Sequence, residues 1–152
     1  MALKKSFILL LFIGNEWITS PVLMKFVEDY CFSYVNNLRI FNVNARTLFN
    51  RVSIYIMPMV NPDGVDLVTG EISSNSSLYT NTKLIADNYP TIPFPSGWKA
   101  NIRGVDLNLQ FPAGWEQARQ IKFEQGFTSP APRDFVGFGP LTEPEALAIY
   151  NF

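Results

Sequence analysis

The sequence predicts an α/β domain, and three observations carry that prediction. The chain has 152 residues, 47 % of them hydrophobic and 16 % charged, which is enough apolar surface for one core and too little length for two. An apolar run from Phe7 to Ile13, a helical pattern from Glu16 to about Asn36 and a second apolar run from Arg51 to Val60 follow one another along the chain. Strand, helix and strand in that order are the signature of a layered α/β fold.

The first run, within Met1 to Ile13, follows Lys4 and Lys5 and has two readings. It is either a buried strand of a parallel sheet or a short signal-like segment. Its brevity and the absence of an A-x-A-like cleavage site favour the strand, and it is too short to span a bilayer. In the helix that follows, Leu23, Phe26, Val27, Tyr30 and Tyr34 recur at helical spacing and form one apolar face. Thr19 or Ser20 can cap its start, and Pro21 suits its first turn. Cys31, the single cysteine, lies in this apolar stretch and is expected to be a buried thiol. Arg51 to Val60 (RVSIYIMPMV) reads as a buried strand that stops at the turn signal Asn61-Pro62-Asp63-Gly64.

Residues 67 to 97 are polar, rich in Ser, Asn, Thr and Pro, and are expected to form a long functional connection. Residues 130 to 140 form another loop. Thr142 followed by Glu145 reads as a capping box that opens a last helix through Phe152.

Composition excludes several function classes. A net charge of −1 with no basic run gives nothing to track phosphates, so nucleic acid is not expected as a partner. One cysteine excludes an internal disulfide framework. There are 0 histidines, which removes Ser-His-Asp and Cys-His nucleophile chemistry and any imidazole metal ligand.

Four segments occur in a telling order: Gly14-Asn15-Glu16-Trp17-Ile18-Thr19, Asn61-Pro62-Asp63-Gly64, Gly104-Val105-Asp106-Leu107-Asn108 and Gly139-Pro140-Leu141-Thr142-Glu143-Pro144-Glu145. Together they resemble the zinc carboxypeptidases (peptidase family M14). The run from Trp98 to Asn101 and that from Leu107 to Glu116 most resemble the bacterial γ-D-glutamyl-diamino-acid endopeptidases, which act on peptidoglycan peptides. The resemblance covers residues 14 to 152. It implies a mixed sheet flanked by helices and one zinc held by a His-x-x-Glu pair and a distant second His, with a later Glu as general base. Three ligands and an open position let zinc activate water and polarise a carbonyl.

Residue by residue, Glu16 matches the Glu of His-x-x-Glu and is the candidate metal ligand, but Ile13 occupies the His position. Its bland alternative is a first-turn helix acid. Asn108 matches an Asn that binds the substrate's terminal carboxylate. The commoner family form continues with Arg where this chain has Leu109, which agrees with the endopeptidase-like branch. Arg103 is the candidate for polarising the scissile carbonyl, with Lys99 as an alternative, and a surface loop residue as the plain reading. Asp106 is expected to order its turn, and Asn61 and Gly64 to form theirs. No catalytic residue is assigned.

The resemblance therefore implies a partial zinc-carboxypeptidase-like fold over residues 1–152, with zinc as the implied cofactor. It also implies peptide or peptidoglycan-derived peptide as substrate and a bacterial cytoplasmic or envelope setting. The chain is expected to be an incomplete, inactive fragment whose His-bearing upstream part was lost by frameshift, truncation or a mis-called start. The alternatives are a metal-free peptide-binding or scaffold protein, and a hydrolase that borrows ligands from a partner chain.

Overall fold

The computed structural model describes residues 5–10 and 13–152, and its class is α/β. It forms two compact units, one comprising the strand Lys5–Leu10 with Ile18–Met59, the other residues 13–17 and Val60–Phe152. The signal-like reading of Met1 to Ile13 lies partly outside the described residues; within that segment Lys5–Leu10 is a strand, β1.

In the first unit β1 pairs in parallel with β4 (Val52–Met57), from Lys5 opposite Val52 to Leu10 opposite Met57. Between them in sequence come helix α1 (Thr19–Val35), the short antiparallel strands β2 (Arg39–Ile40) and β3 (Val43–Asn44), and helix α2 (Ala45–Arg51). The predicted apolar face of α1 is its inner face. Tyr30 is buried, while Leu23, Phe26, Val27 and Tyr34 are half-buried. Aromatic rings join the two helices: Phe26 lies 5.8 Å from Tyr30, Tyr30 lies 6.2 Å from Phe49, and Tyr34 lies 4.7 Å from Phe49. Such ring pairs add to the area they bury.

Several local expectations are corrected here. Neither Thr19 nor Ser20 caps α1. The cap position is Ile18, which has no capping side chain, because Trp17 and Ile18 already have helical backbone angles and move the helix start upstream. The Ser20 hydroxyl instead donates to the Pro58 carbonyl at 2.6 Å. Cys31 is exposed, one step around the helix from the inward Tyr30. Arg51 closes α2 rather than opening β4, and β4 is half-buried rather than buried, with Tyr55 exposed. Helix α2 went unpredicted. It starts at Asn44, whose side chain accepts from the N–H groups of Arg46 and Thr47.

In the second unit, Asn61-Pro62-Asp63-Gly64 is a helix start and not a free turn. Asn61 caps α3 (Pro62–Thr69) by accepting from Gly64 N, Pro62 takes a first-turn position, and Gly70 closes the helix with φ 87°. The polar stretch at 67–97 contains the end of α3 and a further helix, α4 (Ser77–Ala86), capped by Ser76. Leu67, Ala86, Trp98 and Ala100 form one core cluster, backed by Tyr79 and Phe94. Val105, Ala131 and Phe135 form a second cluster, against Tyr89, Phe123 and Phe127. Phe123 belongs to α5 (Trp115–Glu124). Residues 130–140 are free of regular elements, as predicted.

The last helix, α6 (Pro144–Tyr150), is capped at Glu143, without the expected capping box. Gln110 is the reason. Its side-chain amide oxygen, Oε1, accepts from the N–H groups of Thr142 and Glu143, at 2.9 and 3.1 Å, and Thr142 turns its hydroxyl to Gln110 and Gly139.

Candidate functional site

Glu16, Arg103 and Asn108 all belong to the second unit. Glu16 ends a 3-10 turn, Gly14–Glu16, that enters from an extended Ile13. The turn is pinned at Gly14, whose N–H donates to the Lys99 carbonyl at 3.4 Å. A Cβ on Gly14 would stand 2.8 Å from the Gly64 carbonyl oxygen and 3.1 Å from that of Trp98. Both obstacles are backbone, so only glycine fits between them. Asn15 adds a side-chain hydrogen bond to Ser96 O at 3.5 Å, and Glu16 itself is exposed.

The opposing wall is the loop from Trp98 to Asp106, whose backbone is tied down at nearly every residue. Trp98 is fully buried, and its indole N–H donates to Asn101 O at 3.2 Å. Lys99 N and Ala100 N share Pro132 O at 2.8 and 3.0 Å. The Asn61 amide, besides capping α3, donates to Ala100 O at 2.9 Å. Asn61 therefore does more than form a turn: it joins α3 to the wall.

Asn101 is the hub of the next segment. Its side-chain oxygen accepts from Arg103 N at 3.1 Å and Val105 N at 3.0 Å, and its amide donates to the buried Glu143 carboxylate at 2.7 Å. Arg103 projects outward with its side chain 65 % exposed, and its Nε lies 3.7 Å from Glu143 Oε2. Asp106 orders its turn, as the sequence predicts. One carboxylate oxygen accepts from Asn108 N at 3.2 Å and the other from Asp134 N at 3.1 Å. Burial pushes the Asp106 carboxyl above its ordinary range, and those two backbone donors only partly offset the rise. Asn108 sits in the 3-10 turn Leu107–Leu109 with its side chain free to face solvent.

The structure thus sets Arg103 on this clamped loop and Asn108 on the 3-10 turn that follows it, and the backbone of the loop also holds the Glu16 turn. Three residues that build this arrangement were missed by sequence reasoning: Asn101, Gln110 and Glu143. Gln110 carries a signal, a polar side chain between Leu109 and Phe111, and Asn101 a weaker one after Trp-Lys-Ala, whereas Glu143, between Thr142 and Pro144, carries none.

The donor set does not fit zinc. Zinc takes three or four Cys, His or carboxylate donors. Ile13 offers hydrocarbon at the matching position, the sequence holds 0 histidines, and Glu16 supplies one carboxylate. Among the described residues no group of three or more His, Cys, Asp or Glu side chains could hold a metal ion. Among the described residues, too, no helix is long and apolar enough to cross a membrane.

Comparison with known proteins adds an independent line. The zinc carboxypeptidase family matches residues 12–152. The chain is 46 % identical over 138 residues to gamma-D-glutamyl-L-diamino acid endopeptidase 1 of Lysinibacillus sphaericus, covering 91 % of this chain and 33 % of that protein. It is 42 % identical over 150 residues to the uncharacterized protein YqgT of Bacillus subtilis (strain 168), covering 99 % of this chain and 38 % of that one. Carboxypeptidase E of Caenorhabditis elegans is 33 % identical over 102 residues, 65 % of this chain and 16 % of its own length. The chain therefore spans between a third and two fifths of the two bacterial relatives. No solved structure matches.

Proposed function

The chain belongs to the zinc carboxypeptidase family, and on that premise we propose that it carries the substrate-facing part of a metallopeptidase for cell-wall-derived peptides and, as it stands, binds such peptides without cleaving them. One observation carries this reading. The Arg103 and Asn108 side chains are exposed, while the backbone beneath each is clamped by a buried side chain, Asn101 in one case and Asp106 in the other. Holding recognition groups on a rigid backbone lowers the entropy lost on binding.

In this reading the Arg103 guanidinium takes a carboxylate or carbonyl oxygen of the peptide, a task suited to its planar fork. The Asn108 amide donates alongside it. Leu109 leaves no second guanidinium beside Asn108, which favours substrates that are not gripped by a free C-terminus alone. The γ-D-glutamyl-diamino acid linkage named for the Lysinibacillus relative is the first substrate to try. Glu16 is the one carboxylate of the adjoining turn. With Ile13 before it, the turn supplies no zinc site, so no hydrolytic step is assigned to this chain.

The test is calorimetric titration of the chain with a γ-D-glutamyl-diaminopimelate dipeptide, with and without zinc, and chromatography of the same mixtures. Saturable binding that weakens in R103A and in N108A, with no cleavage under either condition, is the expected result. Binding that ignores both substitutions, or turnover that appears with zinc, would overturn the reading.

A further inference from the structure

Glu143 is a first-turn acid of α6 by sequence, yet it is 2 % exposed. A carboxylate taken out of water is costly unless hydrogen bonds and a counter-charge accompany it. The hydrogen bond comes from the Asn101 amide at 2.7 Å and the counter-charge from Arg103, Nε to Oε2 at 3.7 Å. The same Asn101 accepts from the backbone N–H of Arg103. Its amide nitrogen also lies 3.4 Å from Glu145 Oε1. The main chain at Glu143 is held as well, since Glu143 N donates to the fully buried Gln110 side chain. Both ends of Arg103, main chain and side chain, are thus referred to one buried polar pair.

From this geometry we propose that Glu143 is a positioning residue for Arg103. It holds the guanidinium by its Nε edge, so that the two terminal nitrogens face outward as a fork for a carboxylate or carbonyl oxygen of a bound peptide. An arginine recruited only to neutralise Glu143 would be drawn in over the acid, whereas the Arg103 side chain stays 65 % exposed and contacts the acid through one edge. Pre-setting a long side chain in this way removes rotamer entropy that binding would otherwise cost. The proposal rests on the reading of Arg103 as a substrate group, and its test separates the two.

E143Q keeps an acceptor for Asn101 and nearly the same volume while removing the charge. The first readout needs no peptide: the Nε–Hε signal of Arg103 in nitrogen-15 NMR of the free chain. In the wild type it should stand apart from mobile arginines with slowed exchange, and in E143Q it should merge with them. The second is a binding cycle with the γ-D-glutamyl-diaminopimelate dipeptide over wild type, E143Q, R103A and the double variant. E143Q should weaken binding on the order of fivefold when Arg103 is present and not at all in R103A. Equal loss in both backgrounds, or an Arg103 signal that E143Q leaves unmoved, overturns the positioning role. If the wild type binds no peptide, the proposed function falls and the NMR readout alone decides this inference. Should E143Q fail to fold, E143D withdraws the charge by one methylene and is read by the same signal, which must shift toward mobile arginine.

Discussion

Replacing Gln110 by leucine removes all the side-chain hydrogen bonds that Gln110 makes to the start of α6 and to the loop before it, while nearly conserving volume. Gln110 is fully buried and donates to Val136 O and Gly139 O. It accepts from Thr142 N, Thr142 Oγ1 and Glu143 N. The two carbonyls are not orphaned, because Val136 O also receives the Trp115 indole N–H at 3.2 Å and Gly139 O the Thr142 hydroxyl at 3.2 Å. The two backbone N–H groups lose their acceptor. Each buried donor left unpaired costs about 1–3 kcal/mol, with Thr142 near the low end because that residue is exposed. The sum is about 2–4 kcal/mol, a large share of the roughly 5–15 kcal/mol that stabilises a typical domain. At about 2–4 °C per kcal/mol for a chain of this size, Q110L should melt roughly 5–15 °C below wild type. Circular dichroism melts and urea midpoints of the two proteins measure it. A melting point within about 1 °C of wild type would show that the joint contributes little and that the accounting of orphaned donors is wrong.

Three further outcomes follow from the same structure. G14A should destabilise the second unit by about 1–3 kcal/mol, because its Cβ meets backbone atoms that cannot rotate away; an unchanged urea midpoint would contradict the close packing of that turn. Cys31 should react with a thiol reagent such as DTNB in the native chain at nearly the rate of the urea-unfolded chain, and protection of the native thiol would contradict its exposure. Burial pushes Asp134 up, but the Lys122 and Arg133 side chains beside it win and hold its carboxyl below the usual 3.8. A lowered folded-state value stabilises above the unfolded value and is lost as pH falls through the folded one. The stability gap between wild type and D134N should therefore hold above about pH 5 and close toward about pH 2; a gap that persists in acid would refute the assignment.

The elements legible in the sequence were those with a single dominant pattern. The stripe from Leu23 to Tyr34 identified α1, and RVSIYIM located β4 to within one residue of its start. The hidden elements were those whose residues serve two purposes. Asn-Pro-Asp-Gly makes a turn or opens a helix with equal local ease, and packing of Leu67 against Trp98 and Ala86 tips it to helix. Ser-, Thr- and Asn-rich α4 looks like a loop because those side chains compete for the backbone. In the fold the Thr82 hydroxyl bonds back to Leu78 O and Tyr79 O and the residue is buried. For the site, Arg103 and Asn108 were named through the family resemblance and not through any spacing in the sequence, and Asn101 and Glu143 are joined only across 42 residues of chain, a distance that periodicity does not see.

That separation of near and far contacts has a kinetic consequence for the Glu16 turn. The bond from Asp106 to Asn108 N spans 2 residues and closes almost as soon as the chain collapses. The tie from Asn15 to Ser96 spans 81, and its loop closes only after a larger entropic toll. During refolding, amide protons near Asn108 should be trapped early and those of Gly14 and Glu16 late. A half-refolded chain would then have its Asp106–Asn108 turn set before its Glu16 corner, so that corner acts as a clock that reads complete only when Gly14 and Asn15 have met the stretch from Ser96 to Lys99.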